Sequence, residues 1–331
     1  MDTKDLKEKY KELLGKEVTL QGWIRTHRKQ KEFGFINFYD GTGFGTVQIV
    51  YDNKLDNFED VQKYLVGSAI TVKGTVVESQ GNQDFEIQAT KIILEGASTE
   101  DYPIQPKRHT KEFLREQAYL RPRTALFNAV FKVRSVAAYA IHKYFQERNY
   151  TYVHTPLITA SDAEGAGEMF QVTTLDLQRI KDGKVDYSKD FFGKQASLTV
   201  SGQLEAETFA MSHKKVYTFG PTFRAENSNT KTHASEFWMI EPEMAFCDLE
   251  GDMDVMEDML KYVVKYVLDN ASEEIEFFNK FVEEGLKEKL EKLVSSSFTR
   301  IDHKDVIKIL KDAKVKWEFE PEYGEDIARE H

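Results

Sequence analysis

The chain of 331 residues contains a single cysteine, Cys247. With no partner thiol it forms neither an internal disulfide nor a Cys-rich metal cage, which excludes a disulfide-stapled scaffold and suits a reducing compartment. A lone cysteine of this kind is expected to act as a small buried hydrophobe. Proline is scarce as well, seven in all, and the apolar runs are short. None approaches the roughly 18 consecutive apolar residues of a membrane-spanning helix. The first ten residues are charged throughout, so neither a signal peptide nor a membrane anchor is expected, and the expected location is the cytoplasm. Also missing are a Gly-x-x-x-x-Gly-Lys-Ser/Thr phosphate loop, a Gly-x-Gly-x-x-Gly turn after a strand, a Gly-x-Ser-x-Gly elbow and any Cys/His metal spacing. Their absence removes most of the support for a P-loop kinase, a dehydrogenase, a serine hydrolase or a structural zinc site.

What is present is a charged, aromatic-rich globular composition: 31% charged, 12% aromatic, 23 Phe and 15 Tyr. That is enough apolar surface for about two cores without covalent staples. The net charge of −11 argues against a nucleic-acid partner only as a total. Counted along the chain it is roughly −3 over residues 1–100, about +6 over 101–150 and about −14 over the rest. The acidic sum hides a basic middle.

Residues 17–95 read as strands. Val18, Leu20 and Trp23 alternate with polar neighbours, Phe33, Phe35, Ile36 and Phe38 form a second run, and Asp40-Gly41-Thr42-Gly43 joins it to Thr46-Val47-Gln48-Ile49-Val50. A helical stretch at 57–65 and strands at 69–77 and 85–94 complete five short strands with one helix, the pattern of a small OB-type barrel. Residues 101–123, with Pro103 and Pro106 close together, read as a linker. A long helix follows, with Val130, Phe131, Val133, Val136, Ala137, Ala140, Ile141, Tyr144 and Phe145 on one broad face, ending near Asn149. Strands are expected at 152–158, closed by Pro156, and at 216–223 and 236–245. Helices are expected at 249–270, with Met253, Met256, Leu260, Val263, Val264 and Val267 toward the core, and at 273–293, with a solvated Glu/Lys face. The expected fold class is α+β with an all-β domain: residues 1–100 the barrel, 101–123 the linker, 124–331 an antiparallel sheet flanked by helices.

Four constellations offer chemistry. On the barrel, Arg25, His27, Arg28, Lys29 and Lys31 lie beside Phe33, Phe35 and Phe38. Cations neutralise phosphate while aromatic faces stack on unpaired bases, although the phenylalanines could equally fill the barrel. Residues 223–237 form a long polar segment between two apolar strands, carrying Arg224, Lys231 and His233 as phosphate donors with Asn and Ser beside them. Ser201-Gly202-Gln203-Leu204-Glu205-Ala206-Glu207 and Glu164-Gly165-Ala166-Gly167-Glu168 place carboxylates beside glycines, which lets a ligand ammonium approach closely. Each of these last two is a common surface loop when taken alone.

The order of these parts is specific. Gly22-Trp23-Ile24-Arg25-Thr26 opens the barrel, Leu120-Arg121-Pro122-Arg123-Thr124 precedes the long helix, a helix and strand end at Pro156, and Ser-Gly-Gln-Leu-Glu-Ala-Glu and Phe-Arg-Ala-Glu-Asn-Ser-Asn-Thr follow with His233 and Glu236-Phe237. Together they resemble a class II aminoacyl-tRNA synthetase of the aspartyl/asparaginyl/lysyl subgroup, most closely the bacterial asparaginyl enzymes, through essentially the whole chain.

The resemblance implies ATP-dependent attachment of L-asparagine to tRNA(Asn) through an adenylate, with Mg2+ required. The helix of about 128–148 and the strand to Pro156 match the family's first motif, which implies a homodimer. Residues 219–243 match its second motif: Arg224 would grip the ATP α-phosphate and the amino-acid carboxylate, Glu226 would help place the adenine or the metal-bound phosphates, His233 would reach the γ-phosphate and Phe237 would stack under the adenine. Ser228 and Lys231 would lie near the acceptor end of the tRNA. Glu164 and Gln203 would hold the α-ammonium, and Glu207 would accept from the asparagine amide and repel aspartate. Ala206 stands where close aspartyl relatives carry lysine, which favours asparagine. On the barrel, Phe35, Gln48 and Glu86 match positions that take the anticodon bases, chiefly the central uridine, and Arg25 joins them as a tRNA contact. No match to the third motif, with its glycine-rich strand and arginine, is found, and 323–331 reads as the start of a helix. The expectation is a catalytic sheet incomplete at the C-terminus, with an unpaired edge and little ligase activity for this polypeptide alone. An aspartyl-tRNA synthetase and a non-catalytic tRNA-binding paralogue or fragment stand as alternatives.

Overall fold

The computed structural model describes residues 1–163, 165, 169–179, 183–227 and 233–331. It opens with helix α1 (Thr3–Leu13), whose Leu6 is fully buried against the strands that follow. Asp40 anchors the first turn by accepting from the Thr3 backbone N–H at 2.7 Å and from the Thr3 hydroxyl. Strands β1 (Glu17–Lys29), β2 (Phe33–Tyr39), β3 (Val47–Asp52), β4 (Ala69–Glu78) and β5 (Phe85–Gly96) close into a barrel in the order β1-β2-β3-β5-β4, with the short helix α2 (Phe58–Val61) between β3 and β4. Strand alternation explains the closure: Leu20, Ile24, Ile36, Phe38, Ile49, Ile70, Val72 and Ile87 point inward and are buried, while their neighbours face out. Phe38 is therefore core, whereas Phe33 and Phe35 lie on the outer wall.

His27 closes one side of the barrel by bonding the Tyr64 carbonyl through Nδ1 (3.0 Å) and the Tyr51 hydroxyl through Nε2 (2.6 Å). The carbonyl only accepts, so Nδ1 carries the proton and Nε2 accepts from Tyr51. Burial lowers the His27 pKa and pushes the Tyr51 phenol up to about 12, so both groups stay neutral. A depressed histidine pKa favours the folded state above the unfolded value of about 6.5 and loses that contribution as pH falls through the folded value. The barrel should therefore unfold more readily at pH 5 than at pH 8, and His27→Gln should flatten this slope; thermal melts of both proteins across that range check it.

After the barrel come α3 (Lys111–Glu116), a 3-10 turn at Arg121–Arg123, and α4 (Ala125–Glu147), capped by Thr124, whose Oγ1 accepts from Phe127 N at 3.4 Å. Strands β6 (Thr151–Tyr152), β7 (Ile158–Thr159), β8 (Gln171–Val172) and β9 (Ala196–Leu198), helix α5 (Gln203–His213), and strands β10 (Lys215–Phe223) and β11 (Glu236–Met244) build two sheets. One has the order β11-β10-β6, with β6 parallel to β10; the other is β7-β9-β8. Helices α6 (Leu249–Asn270), α7 (Ser272–Phe281), α8 (Leu286–Ser295) and α9 (His303–Asp312) follow. The main core lies where α4 and α6 cover one face of the first sheet: Ile141, Tyr144 and Phe145 meet Tyr217 and Phe219, with Met259, Tyr262 and Val263 packed beside them.

Several expectations are corrected. The helix expected at 57–65 shortens to Phe58–Val61, and in place of one strand at 152–158 there are two short ones, Thr151–Tyr152 and Ile158–Thr159, in different sheets. The linker carries α3. The helix at 273–293 divides into α7 and α8 because Gly285 adopts φ +81°, a conformation a helix cannot contain. On α6 the expected stripe holds at Val263 and Val267, but Val255, Met259 and Tyr262 pack inward beside them, while Met256 and Leu260 are exposed. Cys247 is exposed, not buried, in the turn between β11 and α6. Residues 323–331 form no helix.

Candidate active site

The register of β10 with β11 sorts their side chains onto two faces. Thr218 pairs with Glu241, Gly220 with Met239 and Thr222 with Phe237, and these alternate with Tyr217, Phe219 and Ile240, which face α4. The first face is polar and open to the turn before α5. Thr199, Gly202, Thr218, Thr222 and Glu241 line a cavity at its edge together with apolar Val153, Leu157, Phe219 and Trp238. Ser201 and Gly202 are held there by Glu241, which accepts from the Ser201 hydroxyl, from Gly202 N at 3.2 Å and from Thr218 Oγ1 at 2.8 Å. Gly202 is required by space: a Cβ there would lie 2.6 Å from Thr155 Oγ1.

Arg224 follows β10 and continues the parity of Thr222. Its backbone N–H bonds Ser235 O at 3.1 Å. Nη2 donates to the Val200 carbonyl at 3.4 Å and to Met239 Sδ at 3.8 Å, and Cζ lies 5.5 Å from the centre of the Phe237 ring. Among the described residues Nε has no partner although it is buried. A guanidinium held half-satisfied over an aromatic ring, beside an open polar face, is arranged to take an anion from a planar ligand. Glu226 and His233 stand at the mouth, both exposed, with Oε2 and Nε2 3.8 Å apart. Gln203 begins α5 and donates through Nε2 to Glu207 Oε1 at 3.1 Å one turn later, which turns the Gln203 amide oxygen away from Glu207 as an acceptor. Glu207 itself is exposed.

The structure thus brings Arg224, Phe237, Gln203 and Glu207 around the polar face of one sheet, with Glu226 and His233 at its edge. Glu164, Ser228 and Lys231 lie outside the described residues. Glu241 was not singled out by any sequence motif; the signal for it is the alternation of β11, which puts an acid on the polar face opposite Thr218.

The barrel holds a second cluster. Arg28 Cζ lies 5.0 Å from the Phe35 ring centre, Phe33 packs edge-on against Phe35 at 5.4 Å, and Gln48 receives a bond from Arg28 at 3.4 Å and donates to Glu86 at 2.9 Å. Ser79 also donates to Glu86, at 3.1 Å. This outer-wall group combines a stackable ring with oriented amide and carboxylate groups, the requirements for reading unpaired bases. Arg25 is not part of it: its guanidinium is turned to the Arg123 carbonyl at the start of α4.

Comparison with known proteins gives the family of both halves of the chain. The family profile "tRNA synthetases class II (D, K and N)" matches residues 110–328, and "OB-fold nucleic acid binding domain" matches residues 18–95. The asparagine–tRNA ligase of Acholeplasma laidlawii is 59% identical over 96% of this chain and 70% of its own length, and that of Clostridium novyi is 55% identical over 100% and 73%. Among solved structures, the asparaginyl-tRNA synthetase of Pyrococcus horikoshii complexed with asparaginyl-adenylate superposes with a TM-score of 0.76 at 29% identity, covering 92% of this chain and 66% of that one. The chain therefore spans about two thirds of the length of these relatives. Among the described residues no helix is long and apolar enough to cross a membrane. An N-terminal OB barrel, a class II sheet with its polar face built around Arg224, and this identity over nearly the whole chain place it in the family of asparagine–tRNA ligases, the class II enzymes that join an amino acid to tRNA.

Proposed function

We propose that this chain serves the ATP-dependent activation of L-asparagine and its transfer to tRNA(Asn), with residues 1–100 binding the anticodon, 101–123 as linker and 124–331 holding the asparagine and the nucleotide. The observation that carries this reading is the half-buried Arg224 beside Phe237, whose buried Nε has no partner among the described residues. Adenine stacks on Phe237, and the guanidinium meets the α-phosphate and the asparagine carboxylate together. An asparagine carboxylate oxygen attacks the α-phosphorus, the bond to the bridging oxygen breaks and pyrophosphate leaves. A terminal ribose hydroxyl of the tRNA then attacks the acyl carbon, loses its proton and releases AMP. Negative charge grows on the phosphoryl oxygens in the first step, so the fixed cation is worth most in the transition state. Glu226 and His233 at the mouth serve the nucleotide phosphates, with Ser228 and Lys231 near the acceptor end.

The α-ammonium lies between Glu164 and the Gln203 amide oxygen, whose orientation is set by Glu207. A carboxylate has about four acceptor positions, and Glu241 uses three on its own protein, leaving capacity toward a ligand donor in the cavity it lines. Glu207 and Glu241 together accept the asparagine amide N–H and repel the aspartate carboxylate. Magnesium is read as arriving with the ATP phosphates. Among the described residues no group of three ligating side chains converges, and no step is routed through the ion. Exposed apolar side chains on α4, Val130, Phe131 and Tyr139, support a homodimer through that helix. On the barrel, Phe35 stacks the central anticodon base while Gln48 and Glu86 bond its edge. The location is read as cytoplasmic.

The test is a calorimetric titration of the chain with a non-hydrolysable asparaginyl-adenylate analogue and its aspartyl counterpart. The asparaginyl compound should bind at least ~100-fold more tightly, and Glu207→Gln should narrow that ratio. Equal affinities would refute the assignment, and an unchanged ratio in the variant would remove the role given to Glu207.

A further inference from the structure

We propose that Arg25 is a positioning residue that sets the angle between the barrel and α4, so that one tRNA reaches the anticodon cluster and the active site at once. This rests on the function proposed above. Arg25 sits on β1, inside the barrel's sequence, yet its Nη2 donates to the carbonyl of Arg123 at 3.1 Å, across 98 residues of chain. The guanidinium also lies over the Tyr39 ring, 4.4 Å from its centre, and its Nε is buried with no partner among the described residues. A guanidinium so enclosed is not presented to a phosphate backbone; it is spent on the junction.

The contact is placed where rotation would begin. Arg123 ends the linker, and Thr124 caps α4 directly after it. The Arg123 side chain turns back to the linker, donating to the Tyr102 hydroxyl at 3.2 Å and lying 5.7 Å from that ring. Tyr102 in turn presses on the barrel at Gly67, where a Cβ would come within 2.9 Å of its ring. At a separate point the Phe44 ring, in the loop after β2, meets Phe277 of α7 at 5.3 Å. Two anchors far apart in sequence fix an orientation that one flexible linker would not. From Arg123 the path to the chemistry is rigid, because α4 packs Ile141, Tyr144 and Phe145 against the back of β10, the strand just before Arg224.

Two sites on one ligand reinforce each other only when both are reached together, and the gain, on the order of 10²–10⁴ in affinity, vanishes when the geometry is wrong. The prediction is therefore selective. In Arg25→Met the affinity for an anticodon stem-loop cut from tRNA(Asn) should stay within about twofold of wild type, because Phe35, Gln48 and Glu86 are untouched, while affinity for the whole tRNA(Asn) transcript falls at least about tenfold. Arg25→Lys, which keeps a donor without the planar fork, should fall between. Fluorescence anisotropy with both RNAs reads the ratio. An unchanged ratio of whole-tRNA to stem-loop affinity in Arg25→Met overturns the proposal. Loss of stem-loop affinity also overturns it, since the residue would then serve the barrel and not the junction. Failure of the wild-type chain to bind either RNA would instead strike at the proposed function.

Discussion

Arg224→Ala is expected to weaken binding of the asparaginyl-adenylate analogue by about 10²–10³-fold while leaving the melting temperature unchanged or slightly raised. The two halves of this expectation have one cause. Among the described residues the guanidinium is poorly satisfied: one bond to Val200 O is long at 3.4 Å, a second goes to sulfur, and Nε is buried without a partner. Such a group contributes little to folding and carries a desolvation cost that the variant removes. Its charge is used only when an anion arrives and accepts the orphaned N–H in a charge-assisted bond. Arg224→Lys should recover little, because a point ammonium cannot span a phosphoryl oxygen and a carboxylate together. Titration and thermal melts of the same preparations separate the two effects. A variant that lost stability and ligand affinity in proportion would show Arg224 to be a structural residue.

Glu241→Ala should lower stability of the catalytic sheet by about 2–4 kcal/mol and weaken the same ligand at least about tenfold. Glu241 is buried and joins three parts of the chain, the Ser201 hydroxyl, the Gly202 backbone N–H and Thr218 on β10. Alanine leaves the Gly202 N–H enclosed with no acceptor, and the turn that presents Gln203 loses its anchor. Glu241→Gln is the informative companion. Its single amide oxygen can take the Gly202 N–H, and the Ser201 and Thr218 hydroxyls can rotate to accept from its NH2, so most of the stability should return. The negative charge does not return, so ligand affinity should stay low. Urea unfolding followed by titration of both variants checks the pair; full recovery of affinity in Glu241→Gln would remove Glu241 from the ligand site.

How much of this was readable from the sequence depends on the range of the interaction concerned. The barrel was legible because alternation at Val18, Leu20, Ile36 and Phe38 is local and strands with one buried face must show it. The bounds of α6 were legible for the same reason, but its buried face only in part: Val263 and Val267 pack inward as expected, whereas Met256 and Leu260 are exposed because the sheet and α4 meet the helix along Val255, Met259 and Tyr262. Composition could not reveal that direction. Cys247 follows the same lesson. Its residue type favours burial, but it falls in a turn beside Phe246, whose φ of +60° and near-complete exposure mark a chain reversal at the surface.

The grouping of the candidate site was legible where a motif is contiguous: Arg224 lies by Phe237 and Glu226 by His233. It was not legible where a residue works through register or through distant chain. Glu241 gains its three donors only once β10 and β11 are aligned. Arg25 looked like one of several barrel cations until its partner proved to be the carbonyl of Arg123.

The most direct test of the account is a crystal structure of this chain with the asparaginyl-adenylate analogue, whose sulfamoyl group stands in for the α-phosphate. The expected result has a sulfamoyl oxygen within hydrogen-bond distance of the Arg224 guanidinium, the adenine against the Phe237 ring, and the asparagine side chain directed toward Gln203 and Glu241. Ligand density elsewhere, with the guanidinium still on the Val200 carbonyl, would contradict it.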